Sequence, residues 1–340
     1  MKKTLSIVFI SLLFTNNALA KEQLIFTVDL VRHGDRTPIQ QIPKSPHLWK
    51  EGLGELTPEG MKQEFELGTA LRKKYIDEYH LLPSHYASET MYVRSTDYNR
   101  TLMSAESLLF GLYPLGTGSP SLPSEFQPVP IHTVPKSKEN LLEPSPSKNI
   151  FSLASLYFDI HRAWKNKTAS MQTELKTWSD ATGFNLNDPH ELDKLSDNLN
   201  VRRFHHIAYP AGITDTDAEK IISLGQLAVT TYFKYKEVSY PMGYRFLNTV
   251  ADYIKNASDK KTPLKYVLFL GHDVSIMSVM TTLGQPLEKM PPYASRLNFS
   301  LFQDNDKQYI KITLNDQPVT IPACGGNVCS LKQFSTLVNQ

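Results

Sequence analysis

Two stretches of the chain are apolar almost throughout and rich in β-formers: Leu24 to Val31, and Lys265 to Leu270. Such runs predict strands buried on both faces of a sheet. Met91-Tyr92-Val93 is a shorter run of the same kind. Each stops at a polar cluster, and a segment with helical spacing follows. Thr57-Pro58-Glu59-Gly60 predicts a helix start, with Thr57 as N-cap, Pro58 at the first position and Glu59 at the positive end, running to about Lys74. Tyr98 to Phe110 predicts a second helix, with Ser95, Thr96 and Asp97 all able to cap it. Ser275 to Leu283 predicts a third after the Lys265 strand. Pro114 to Pro146 is rich in Pro and Ser and reads as irregular. Ile150 to Tyr235 is mainly helical in pattern and carries no strong strand, and Tyr244 to Ile254 is a further helix. Leu297 to Leu314 alternates as one or two edge strands do. This order predicts an α/β sheet interrupted by an α-rich insertion. The catalytic part would be residues 21–130 and 239–340, and the insert residues 131–238.

The N-terminus stands outside this pattern. Lys2 and Lys3 precede an apolar run, Leu5 to Phe14, too short to span a bilayer, and Ala18-Leu19-Ala20 is a small-residue cleavage site. Residues 1–20 therefore read as a signal peptide, and the protein as periplasmic or secreted. Export makes a disulfide between the two cysteines, Cys324 and Cys329, the expected state. Removing Lys2 and Lys3 from the 36 basic residues leaves 34, equal to the 34 acidic ones. A neutral chain offers no general attraction to nucleic acid or anionic membranes. Any anion chemistry must come from cations placed locally.

Three clusters could place them: Arg32-His33-Gly34-Asp35-Arg36-Thr37-Pro38, Arg94-Ser95-Thr96-Asp97 and His272-Asp273. All follow predicted strands, at the carboxyl edge where open α/β sheets bind ligands. Singly, each has an ordinary structural reading. Together they suit a phosphate monoester, whose charged terminal oxygens match the planar fork of arginine. Crowded guanidinium groups bias a neighbouring imidazole against protonation, which leaves a lone pair free for attack. Gly34 would let the backbone approach the ligand. Asp273 is the best-placed acid for a departing alkoxide. Asp35 reads as a residue that orients His33 or an arginine. Asp97 and Arg100 read as helix-start and pairing residues. His205-His206 reads as a surface or domain contact.

Arg32-His33-Gly34-x-Arg36-x-Pro38 with His272-Asp273 resembles the signature of the histidine acid phosphatases, a branch of the histidine phosphatase superfamily. Thr57 to Gly60, Val93 to Ala105, Pro291-Pro292-Tyr293-Ala294-Ser295 and the tail from Pro322 to Cys329 resemble the prostatic-type members. The resemblance implies a mixed central sheet with helices on both faces and a smaller α-helical inserted domain, of the phosphoglycerate mutase-like kind. It implies attack by His33 to form a phosphohistidine, phosphoryl binding by Arg32, Arg36, Arg94 and His272, and proton donation by Asp273. It implies no metal and no cofactor. The substrates would be small phosphomonoesters, and a homodimer is compatible with it. Two other readings compete: a mutase or inositol-phosphate specialist on the same fold, and an inert phospho-ligand binder. The leader argues against a cytosolic mutase. A binder needs neither His33 nor Asp273.

Overall fold

A computed structural model describes residues 22–143, 162 and 164–338. The leader at 1–20 and the segment from Ile150 to about residue 161 lie outside the described residues. Strands β1 (Gln23–Arg32), β2 (Met91–Ser95) and β3 (Tyr266–Gly271) run parallel in the order β2-β3-β1. Strands β4 (Arg296–Asp304) and β5 (Lys307–Leu314) extend the sheet antiparallel on the far side of β1. Short strands β6 (Gln317–Pro318) and β7 (Val328–Ser330) both pair with β5. The result is a mixed sheet, as the resemblance implied.

The alternation of β3 shows why its run was apolar without a break. Val267 and Phe269 face one layer of helices, and Tyr266, Leu268 and Leu270 face the other. The first layer is α6 (Lys236–Ser258), α7 (Asp273–Thr282) and α8 (Leu331–Val338). The second is α1 (Pro58–Arg72) and α2 (Asn99–Leu112). A strand covered twice has no solvent side, so its side chains lose the polar half of the usual alternation.

Between α2 and α6 the chain builds a separate cluster around α3 (Gln172–Thr182), α4 (Pro189–Phe204) and α5 (Asp215–Lys234). Trp164, Trp178, Leu192 and Ile221 are buried there. Ile42, from the loop after β1, is buried in the same cluster and ties it to the sheet. Capping sets the helix starts. Asp188 caps α4, and Thr214 with Asp217 makes a reciprocal capping box on α5. Thr57 caps α1 as expected, its hydroxyl accepting from Gly60 N.

Three expectations are corrected. The Leu297–Leu314 region does form two strands, but neither is an edge: β4 lies between β1 and β5, and β5 pairs with three strands. Two polar positions of β4 face inward. Asn298 and Ser300 are buried in a hydrogen-bonded network with Thr27, Asp29 and Tyr75, so buried polar residues imitated a solvent face. The helix placed at Tyr244 starts at Lys236 instead and carries Pro241 past its first turn, where the missing N–H gives up one helical hydrogen bond. Helix α2 has Tyr98 as N-cap with no side-chain cap, because Ser95 and Thr96 turn their hydroxyls inward. Cys324 and Cys329 do pair, with Cα atoms 5.1 Å apart across a turn that Gly325 makes in the left-handed region.

Helices α1 and α2 cross at glycines. A Cβ on Gly68 would lie 1.9 Å from Leu108 O, and one on Gly111 would lie 2.2 Å from Phe65 O. Gly68→Ala should therefore force the helices apart and cost about 1–3 kcal/mol. A urea midpoint unchanged from the native protein would refute this reading of the crossing.

Candidate active site

The parallel register sets the first part of the site. Arg32 lies opposite Gly271, and Ser95 lies opposite Leu270. The next residues, His33, Thr96 and His272, must therefore emerge together at the carboxyl edge. Two hydrogen bonds extend the pairing past the strands: His33 N to Gly271 O at 3.1 Å, and Thr96 N to Leu270 O at 3.1 Å. The rings of His33 and His272 sit edge to face, with centroids 5.5 Å apart. The loop after β1 presses on the start of α1, where a Cβ on Gly34 would meet Gly60 O at 2.3 Å. Gly34 is thus needed for this helix contact.

His33 is buried, and its Nδ1 lies 2.8 Å from Gly34 O. A carbonyl can only accept, so Nδ1 carries the proton and Nε2 keeps its lone pair. Burial, then the charges of Arg32, His272, Arg100 and Arg36, hold the ring well below the usual imidazole range. His272 is treated the same way. Burial and Arg100 push it down to about 3, against the opposing pull of Asp273, and its Nε2 meets Thr96 Oγ1 at 3.1 Å. Both shifts favour the neutral ring.

The carboxylates are distributed around these rings. Asp273, the first residue of α7, pairs with Arg32 at 2.7 Å and accepts from Val274 N at 2.7 Å. Burial pushes its pKa up, but Arg32, Arg36 and His272 more than reverse this and leave it below the ordinary carboxylate value. Arg36 is gripped on both terminal nitrogens by Asp197 of α4, at 3.0 Å each. Arg32 also stacks on Tyr293, 4.2 Å from the ring centroid.

Arg94 is not brought to this place. Alternation along β2 sends it to the face covered by residues 132–139, where it makes a bidentate pair with buried Glu139 at 3.0 and 2.9 Å. It is absent from the charges acting on His33, His272 or Asp273. Arg100 takes the position instead. It depresses both histidines, lies over the Tyr98 ring at 4.5 Å, and has no ion-pair partner among the described residues. The sequence carried one signal for it. Arg100 is the second residue of α2, and a cation there opposes the helix dipole unless an anion is nearby. The Nε atoms of Arg32, Arg36 and Arg100 are buried without partners. Those of Arg94 and Arg296 are too, so only the conjunction with His33 marks a site.

Asp35 touches neither His33 nor an arginine. Its Oδ2 accepts from Thr57 at 2.5 Å and pairs with His205 Nε2 at 2.7 Å, fastening the end of α4 to the start of α1. His205 is therefore a contact between the helical cluster and the sheet, as the sequence suggested.

Three guanidinium groups, two imidazoles and one carboxylate gathered at a sheet edge have the charge and donor geometry that suit a phosphate monoester. Comparison with known proteins agrees. The family described as Histidine phosphatase superfamily (branch 2) matches residues 23–315, and the chain belongs to that family. The chain is 31% identical to prostatic acid phosphatase of Homo sapiens, over 98% of this chain and 90% of that protein. It is 29% identical to the prostatic acid phosphatase of Bos taurus, over 93% and 85%. Among solved structures, the phytase from Citrobacter braakii superposes with a TM-score of 0.71 at 16% identity, covering 93% of this chain and 97% of that one. Hafnia alvei phytase in complex with tartrate gives 0.67 at 20%, covering 94% and 97%. At such identities these structures show the fold alone. The chain is a phosphomonoester hydrolase of the matched family.

Replacing the two arginines separates their roles. Arg100→Ala should lower kcat/KM for p-nitrophenyl phosphate by about 10²–10³-fold, the usual loss of one transition-state donor. Arg94→Ala should lower it less than about tenfold and instead destabilise the fold by on the order of 3 kcal/mol, because buried Glu139 loses the Arg94 charge and keeps only the N–H groups of Leu141 and Leu142. Equal kinetic losses in the two variants would refute the assignment.

Proposed function

We propose that the protein is an acid phosphatase that passes the phosphoryl group of a small phosphate monoester through His33 to water. The observation that carries this reading is a neutral imidazole, its tautomer set by Gly34 O, packed among Arg32, Arg36 and Arg100. His33 Nε2 attacks phosphorus in line, and the bond from phosphorus to the ester oxygen breaks. Asp273 gives its proton to that departing oxygen. Water then attacks the phosphohistidine, returns a proton to Asp273 and frees inorganic phosphate and His33. Arg32, Arg36, Arg100 and His272 hold the phosphoryl oxygens and stabilise their charge at each transfer. No metal or cofactor enters these steps.

Asp273 is anionic in the unliganded site, so it needs a proton before it can act. A bound phosphate dianion supplies the condition. It draws Arg32 and Arg36 to itself and places negative charge beside the carboxylate, and both effects raise the pKa of Asp273. Turnover should then fall as pH rises and this proton is lost, which gives an acid optimum. Export is part of the proposal, supported by the leader at 1–20 and the Cys324–Cys329 disulfide. So is the assignment of residues 131–238 to an inserted unit, supported by the separate cluster around α3, α4 and α5.

His33→Ala should abolish turnover, and an alkaline quench of native enzyme with substrate should trap a phosphohistidine at His33. Retained activity in the alanine variant sinks the nucleophile. Asp273→Asn should slow alkyl phosphates at least about tenfold more than p-nitrophenyl phosphate, whose leaving group needs little protonation. Equal losses on the two substrates would exclude the donor role.

A further inference from the structure

Beside Arg32 lies a cavity of about 710 Å³. Arg32 and Tyr293 bound it on the side of the reactive centre; Asp193, Asp197 and Asn200 of α4 and Gln226 of α5 bound it on the other. Residues 193, 197 and 200 follow the i, i+4, i+7 spacing of one helix face. Because Arg32 also pairs with Asp273, the cavity opens beside the residue that protonates the leaving oxygen. It is placed to receive the alcohol part of a substrate.

Its charges are unevenly committed. Asp197 is taken by Arg36. Arg203, the one cation the cavity adds to Arg32, is held by Glu219 at 2.7 Å and by Asn200 at 2.7 Å. A second phosphate on the substrate would therefore meet no uncommitted arginine or lysine among these residues. Asp193, by contrast, is half-buried in the lining and makes no hydrogen bond or ion pair with any described residue. Its carboxyl group is therefore free to take a ligand's donor in exchange for water.

We propose that this cavity is the leaving-group subsite and that Asp193 receives the ammonium group of an amino alcohol, so that phosphate monoesters of amino alcohols are preferred over polyanionic ones. The proposal rests on the phosphatase reading above and names the substrate class of that same site.

The pH dependence gives a signature that packing alone would not. Burial, Asp197 and Asp273 raise Asp193 to about 7. The groups facing it are Asp197 and Lys194 on α4, Arg36 after β1 and Asp273 on α7, with Arg32, Tyr293, Arg203 and His206 around the cavity. Helix α5 contributes only uncharged Gln226 to the lining. Below about 7 the Asp193 carboxyl is neutral, and above it the carboxylate attracts a cation. Preference for an ammonium substrate should therefore grow as pH rises.

The test compares kcat/KM for O-phosphoethanolamine with that for n-propyl phosphate, in which a methyl group replaces the ammonium, with p-nitrophenyl phosphate as reference. In the native enzyme the ratio should rise between pH 5 and 7.5. Asp193→Asn should lower it about tenfold at pH 7.5 and flatten the rise, in keeping with loss of one charged hydrogen bond. Asp193→Ser repeats the measurement if the Asn variant does not fold. His206→Gln should keep the rise. A ratio that neither Asp193 variant alters, a rise lost only in His206→Gln, or turnover of inositol hexakisphosphate as fast as of O-phosphoethanolamine each overturns the proposal. Failure of the native enzyme to cleave p-nitrophenyl phosphate overturns the phosphatase reading and the proposal with it, so the two failures are distinguishable.

Discussion

The parallel pairing of β1 with β3 is the constraint on which the rest of the molecule depends. Its register puts Arg32 opposite Gly271 and carries His33 and His272 off the sheet side by side, although 239 positions separate them in the chain. A slip by one residue would turn both strands inside out, because each is buried on alternating sides by different helix layers. The apolar residues that fill those layers thus hold the two histidines in position. Below the site, Asp29 accepts from Arg296, Asn298, Tyr75 and Tyr266 in a buried network that joins β1, β3, β4 and the turn after α1. A polar network with its partners supplied resists register slips, because any slip strands several of its groups at once.

Electrostatics then gives the carboxyl edge its character. Buried guanidinium groups are tolerated because carboxylates partner them: Asp273 for Arg32, and Asp197 for Arg36. Arg100 has no such partner among the described residues, so positive charge is in excess close to His33. Burial first and this charge second disfavour protonation of both imidazoles, and the charge attracts an entering phosphate.

The helical cluster is joined to this chemistry through α4. It holds the loop after β1 through Asp197 on Arg36, Asn198 on the carbonyl of Gln40, Arg202 on the carbonyl of Ser45 and, at its end, His205 on Asp35. The same helix face lines the cavity next to Arg32. One element thus positions Arg36 and lines the space beside Arg32. Changes in this helix can alter selectivity while the histidines stay where the strands put them.

The amino-acid order by itself determined the strands, most of the helices and the chemistry of the strand ends. Those features are local: an apolar run, a cap, or a charged cluster after a strand is legible from neighbours in the chain. His33, His272, Asp273, Arg32 and Arg36 were all found this way, because the register delivers whatever follows the central strands to one edge. Arg94 and Arg100 were exchanged for a reason no linear pattern contains. β2 alternation turns Arg94 toward Glu139, 45 positions away, while the first turn of α2 brings Arg100 back over the edge. Nothing in the sequence singles out Asp193 or Asp197; only the packing of α4 against Arg36 and Arg32 gives them a place at the site. Only tertiary structure decided these, because which side of an element meets a distant partner depends on long-range packing.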